Sequence, residues 1–96
     1  MHTLKIVEYE WDPAKAAENL RKHRVRFADA VLSLEDPMGL STQDLDSSGE
    51  WRLIYLGADP AGRVLVTVYT LRGRIVRIIS SRKARRAERR AYEVRP

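Results

Sequence analysis

Residues 50–81 read as three strands joined by two short turns, and this run constrains the fold more than any other part of the chain. The first strand is Glu50–Ala58. Asp59-Pro-Ala-Gly62 then places Pro and Gly where a β-turn uses them. Arg63–Leu71, rich in Val, Thr and Tyr, is the second strand. Arg72-Gly73 reverses tightly into the third, Arg74–Ser81. Strands linked this closely pair antiparallel, so the run is a meander that must be packed against helices.

The flanking segments supply the helices. Leu4–Glu10 alternates as a strand. Asp12-Pro13 opens a helix over Ala14–Arg24, because Asp caps well and Pro suits the first turn. Ala16, Ala17 and Leu20 form its apolar side, and Lys15, Asn19 and Lys22 share the opposite, polar side. Phe27, Ala30, Val31 and Leu34, spaced i, i+3, i+4, i+7, give a second helix over Phe27–Glu35 that Asp36-Pro37 stops. Met38–Gly49 is polar and acidic and reads as a loop. A last helix covers roughly Lys83–Glu93, with Ala84, Ala87 and Ala91 on its apolar face. The expected order is β-α-α-β-β-β-α: an α+β fold with a small antiparallel β-sheet flanked by helices, a single domain over residues 1–96.

Charge points to the partner. The net charge is +5, unevenly placed. Residues 35–50 hold five acids and no Lys or Arg, whereas the chain from Arg72 onward is chiefly basic. The third strand of the meander runs without a Gly or Pro break into a helical stretch carrying Arg82, Lys83, Arg85, Arg86, Arg89 and Arg90. Arg85/Arg89 and Arg86/Arg90 are like-charge i, i+4 pairs, each costing about 0.2–0.5 kcal/mol in an isolated helix. Most charge runs are solvated faces, but a patch of one sign on a rigid support favours a polyanion, RNA or DNA. Lys15 adds a cation on the first helix.

The absences narrow the chemistry. There is no Cys, hence no disulfide, thiol nucleophile or cysteine zinc site, and two histidines are too few for a His-rich metal cage. No apolar run approaches a membrane span and no signal-peptide core is present, so no membrane association and a cytoplasmic location are expected. There is no Gly-rich phosphate loop, H-E-x-x-H, G-x-S-x-G or two-metal carboxylate cluster. A nuclease of this composition is expected to work without metal or cofactor.

Four residues or pairs stand out. Arg77 sits among Ile75, Val76, Ile78 and Ile79, on the face of Ile75 and Ile79 by strand parity. It either pairs with a carboxylate, Glu50 or another acid, or is aimed at a bound phosphate. His23, preceded by Lys22, is the only internal histidine. An imidazole titrates near neutrality, as a general acid or base requires, but a lone histidine at a helix end is more often a cap or packing residue. Glu50 and Arg52 point to one face and form either a surface ion pair or, in a cleft with Arg77 and Lys22, a general base and its partner. The aromatics, including Trp11, Trp51, Tyr55, Tyr69 and Tyr92, suit packing more than base stacking.

These residues resemble the BrnT family of type II toxins. The resemblance rests on Tyr9-Glu-Trp-Asp-Pro-Ala-Lys-Ala-Ala-Glu-Asn-Leu-Arg-Lys-His23, Val25, Phe27, Asp36-Pro37 and Glu50-Trp-Arg52. It continues through Gly57, Val66-Thr-Val-Tyr-Thr70, Arg77-Ile-Ile-Ser-Ser-Arg-Lys-Ala84, Glu88-Arg89 and Tyr92, nearly the whole chain in order. The chain departs from the family pattern at Arg24, where the family usually has Gly, and at Trp51, where many members carry a second acid.

The resemblance implies a RelE-like fold, a ribosome-independent ribonuclease that halts growth, and a cognate DNA-binding antitoxin, BrnA. Metal-free RNA cleavage then implies attack by the ribose 2′-OH on the neighbouring phosphate to give a 2′,3′-cyclic phosphate, which needs a base, an acid and cations. On that reading Arg77 and Arg82 hold the phosphate. Glu50 or His23 is the base, and the other or Lys22 the acid. Arg52 orients Glu50 or holds a flanking phosphate, while Lys15, Lys83, Arg85, Arg86, Arg89 and Arg90 bind RNA. The rival reading is a non-catalytic nucleic-acid-binding or antitoxin-corepressor module.

Overall fold

The structure, a computed structural model, describes residues 8–44 and 51–94. Within them the order is β1 (Glu8–Glu10), α1 (Pro13–His23), α2 (Phe27–Leu34), β2 (Leu40–Gln43), β3 (Leu53–Ala58), β4 (Val64–Arg72), β5 (Ile75–Lys83) and α3 (Arg86–Glu93). The strands form one sheet, ordered β1-β5-β4-β3-β2. The α+β class and the β3-β4-β5 meander are as expected. The start of the N-terminal strand at Leu4 lies outside the described residues.

Two features differ from the expected order. β2 is an additional strand inside the stretch read as a loop, pairing antiparallel with β3 from Leu40↔Leu56 to Gln43↔Leu53. Leu-Ser-Thr-Gln is an edge strand whose last three residues are exposed. It has no hydrophobic alternation to betray it, and β3 supplies its pairing. The sheet is also mixed, because β1 lies parallel to β5, from Glu8↔Ile75 to Glu10↔Arg77.

The core lies between α2 and the inner face of the sheet: Phe27, Ala30, Tyr69, Val76 and Ile78, with Trp11 set edge-on to Phe27 at 5.8 Å. α2 rides close on β3, where the Ser33 hydroxyl donates to the Gly57 carbonyl at 2.7 Å. A Cβ at position 57 would collide with the Ser33 carbonyl, so glycine is required there. Between β4 and β5 the register steps from Val68↔Ser80 to Tyr69↔Ile78, leaving Ile79 as a bulge. Val76, Ile78 and Ser81 therefore face the helices, while Arg77, Ser80 and Arg82 alternate onto the other side.

α1 starts as its sequence dictates. The Asp12 carboxylate accepts the Ala14 N–H at 2.9 Å, and Pro occupies the first turn. Its buried face does not follow the expected apolar side. Asn19 is 5% exposed and Leu20 39%. The cause lies on β5. β1 pairs only with residues 75–77, so the backbone edge at Ser81 needs another partner. The Asn19 amide provides one, donating to Ser81 O at 2.8 Å and accepting from Ser81 N–H at 3.0 Å. It also donates to Val25 O at 3.0 Å. A primary amide carries the same donor and acceptor as a strand backbone, so Asn19 completes the ladder.

α1 ends at Arg24, with φ 59° and ψ 30°, donating its N–H to Leu20 O at 2.9 Å. Glycine adopts this left-handed conformation freely, whereas arginine forms it at a steric cost. Arg24→Gly is expected to stabilise the protein by about 0.5–1 kcal/mol, read as a higher denaturant midpoint at unchanged slope. A lower midpoint would show that contacts of the Arg24 side chain outweigh the strain.

Candidate active site

The predicted residues fall into two groups along β5. The first is a cleft of about 250 Å³ between α1 and the β5 bulge, lined by Lys15, Glu18, Lys22, His23, Ile79 and Ser80. Lys15, Glu18 and Lys22 recur at i, i+3, i+7 on α1 and share one face, and His23 is the helix's last residue. The Asn19 bonds to Ser81 fix the distance between helix and strand, and with it the cleft. Lys22 pairs with Glu18 at 3.1 Å and Arg21 reaches the same carboxylate at 3.7 Å. The hydrogen bond from Lys22 holds the Glu18 carboxyl below its usual range.

The second group lies along β5. Arg77, two residues before the bulge, donates to Glu10 on the neighbouring β1 at 2.8 Å, and Arg72 stands 3.8 Å from the same carboxylate. Arg77 therefore has an acid partner, Glu10. The pair is not sealed in the core: the two side chains are 34% and 35% exposed. Glu50, the acid named in the sequence reading, lies outside the described residues. Arg52 directly precedes β3, where its carbonyl accepts the Asp44 N–H at 3.0 Å.

Arg82 is held differently. Both its terminal nitrogens donate to Glu88 on α3, each at 2.8 Å, and Glu88 also accepts the Arg85 N–H at 2.7 Å. The Arg82 hydrogen bonds, with that from the Arg85 backbone, draw the Glu88 carboxyl down to about 2. The same bonds make Arg82 still more basic. The pair fastens α3 to β5, and the Tyr92 hydroxyl adds a hydrogen bond to Asp36. α3 buries no residue of its own. It begins at Arg86 rather than near Lys83, because β5 continues through Lys83. Lys83, Arg85, Arg86, Arg89 and Arg90 are all exposed.

The structure thus brings Lys15, Lys22 and His23 together beside Ser80, with Arg77 farther along the same strand. It sets Lys83, Arg85, Arg86, Arg89 and Arg90 on the α3 side. Sequence reading missed Glu10, Glu18 and Asn19 as site-building residues, and also Arg63. Arg63 binds the buried Asp59 at 2.8 Å, Asp29 at 3.3 Å and the Arg24 carbonyl at 3.4 Å. It thereby ties the end of α1, which carries Lys22 and His23, to the β3–β4 turn. Only the Lys15/Glu18/Lys22 spacing signalled any of these in the sequence; the others depend on partners distant along the chain.

Fold and site together define a class: a small basic α+β domain with a cleft lined by two lysines, a glutamate and an imidazole. The model of a family described as the ribonuclease toxin BrnT of type II toxin–antitoxin systems matches residues 11–88, and the chain belongs to this family. It is a ribonuclease toxin of a type II system, and such a toxin has an antitoxin as partner. Among solved structures, the 1.1 Å crystal structure of the Brucella abortus ribonuclease toxin BrnT is similar in fold. The TM-score is 0.61 at 21% identity, over 83% of this chain and all of the other. No curated protein matches the chain. Among the described residues no helix is long and apolar enough to cross a membrane.

Proposed function

We propose that this chain is a metal-independent, ribosome-independent endoribonuclease, acting as a single domain and neutralised by a BrnA-like antitoxin. The observation that carries the reading is the cleft in which Lys15, Lys22 and His23 of α1 meet the bulge of β5. Such a cleft holds what transesterification of RNA needs without other reagents: an imidazole to take a proton, a proton donor and fixed positive charge.

In this mechanism His23 removes the proton from the ribose 2′-OH as its oxygen attacks the adjacent phosphorus. Arg77 and Lys15 stabilise the charge that builds on the non-bridging oxygens. Lys22 gives a proton to the departing 5′-oxygen. The products are a 2′,3′-cyclic phosphate and a 5′-hydroxyl, so atoms and protons balance with no co-reactant. Arg82, with its fork closed on Glu88, serves as the anchor of α3. The exposed cations of α3 hold the RNA backbone beyond the cleavage point.

Single-stranded RNA incubated with the purified protein in EDTA should be cut, leaving ends that carry a cyclic phosphate. His23→Ala, purified in parallel, should be inactive, which excludes a contaminating nuclease. Cleavage that vanishes in EDTA and returns with magnesium would overturn the metal-free mechanism. Binding of RNA without cleavage in any buffer would favour the non-catalytic reading.

A further inference from the structure

The face of the sheet turned away from α1 and α2 carries a groove of about 370 Å³ that the proposed chemistry does not use. Leu40, Leu56 and Val66 lie in one row across β2, β3 and β4, and the row ends on β5 at Arg82. Ile54 and Thr42 line the next row. We propose that this groove seats a segment of the antitoxin that is apolar on the side facing the sheet and acidic along the side facing α3. The proposal rests on the family assignment, which requires a protein partner, and adds where and by what chemistry that partner binds.

Three observations point to this occupant. The outer face of an antiparallel sheet is ordinarily polar, yet here leucine, isoleucine and valine share a concave patch, the mark of a partner site. α3, on the groove's rim, has no buried residue and leaves Leu40, Ile54 and Leu56 only half-buried. The rim is cationic: Glu88 is spent on Arg82, while Arg86, Arg89 and Arg90 stand exposed on the same helix. An acidic flank complements them.

RNA suits the groove poorly. Aliphatic side chains offer a base neither a ring to stack on nor hydrogen bonds to its edges. The one cation in the lining, Arg82, is already neutralised by a two-pronged bond to Glu88. An apolar protein segment, by contrast, gains by covering exactly this kind of surface.

The test titrates the cognate antitoxin against wild type, Leu56→Lys and Leu40→Lys, with thermal melts and RNA cleavage by the free toxin run alongside. Both lysines should lower antitoxin affinity by at least ~30-fold, the size of an interface hot spot, while cleavage by free toxin stays at the wild-type rate. The double charge reversal Arg86→Glu/Arg90→Glu should weaken the complex at low salt and lose its effect as salt rises. If Leu56→Lys does not fold, Leu40→Lys on the edge strand decides. Affinity within ~3-fold of wild type in a folded groove variant overturns the proposal, since a hot-spot site would lose more. Loss of RNA binding with antitoxin affinity intact also overturns it and makes the groove an RNA seat. RNA cleavage by wild type is read separately, so failure of the groove and failure of the nuclease mechanism are told apart.

Discussion

Arg77→Ala should lower RNA cleavage by about 10²–10³-fold in kcat/KM, the usual effect of removing one charge-stabilising donor from a reacting centre, with little loss of stability. The two halves of this expectation come from one geometry. Arg77 is held at 2.8 Å by Glu10, so it is oriented on β5, and about a third of each side chain remains in contact with solvent. Ion pairs this open are screened and contribute at most about 1 kcal/mol. A sealed pair stripped of its arginine would instead cost about 3–5 kcal/mol. Melting temperature and RNA cleavage measured on the same preparation separate the cases. Arg77→Lys should recover only part of the rate, because an ammonium cannot reproduce the guanidinium fork. A fall in melting temperature of 15 °C or more, with normal activity in the folded fraction, would make Arg77 a structural residue.

Asn19→Leu should be the most destabilising single change on α1, although it replaces a polar residue with an apolar one of similar size. It leaves Ser81 N–H, Ser81 C=O and Val25 C=O without their partner in a buried site. Each buried unpaired group costs at least about 1 kcal/mol, so a loss of about 3 kcal/mol or more is expected. For a domain of this size that is a fall in melting temperature of at least about 12 °C, and a large share of total stability. Asn19→Asp keeps the acceptor for Ser81 N–H but sets a carboxylate against two carbonyl oxygens, and should be comparably destabilised. Amide exchange at Ser81 should accelerate in both variants. A loss under about 1 kcal/mol would mean that water or backbone adjustment replaces the amide, and that β5 does not depend on α1 for its edge.

What the sequence determined by itself is what depends on neighbours along the chain. The two turns, the Asp12-Pro13 start of α1, the stop at Asp36-Pro37 and the apolar stripe of α2 each follow from backbone preferences of adjacent residues or from a 3.6-residue period. The arginine-rich end and the family motif were equally legible, because composition and residue order survive without coordinates. Of the candidate site, Lys15 and Lys22 could be placed on one helical face with His23 next to them. Only the tertiary structure decided which acid Arg77 meets, since Glu10 is 67 residues away and reaches it through a parallel strand pairing. It also turned Asn19 inward, because the reward for burying an amide comes from a strand edge 62 residues on, which no helical periodicity can register. β2 likewise owes its existence to β3 rather than to its own Leu-Ser-Thr-Gln. Local preferences are worth tenths of a kcal/mol per residue, whereas an unmet hydrogen-bonding edge in a buried site costs several, so the long-range pairings had the final word.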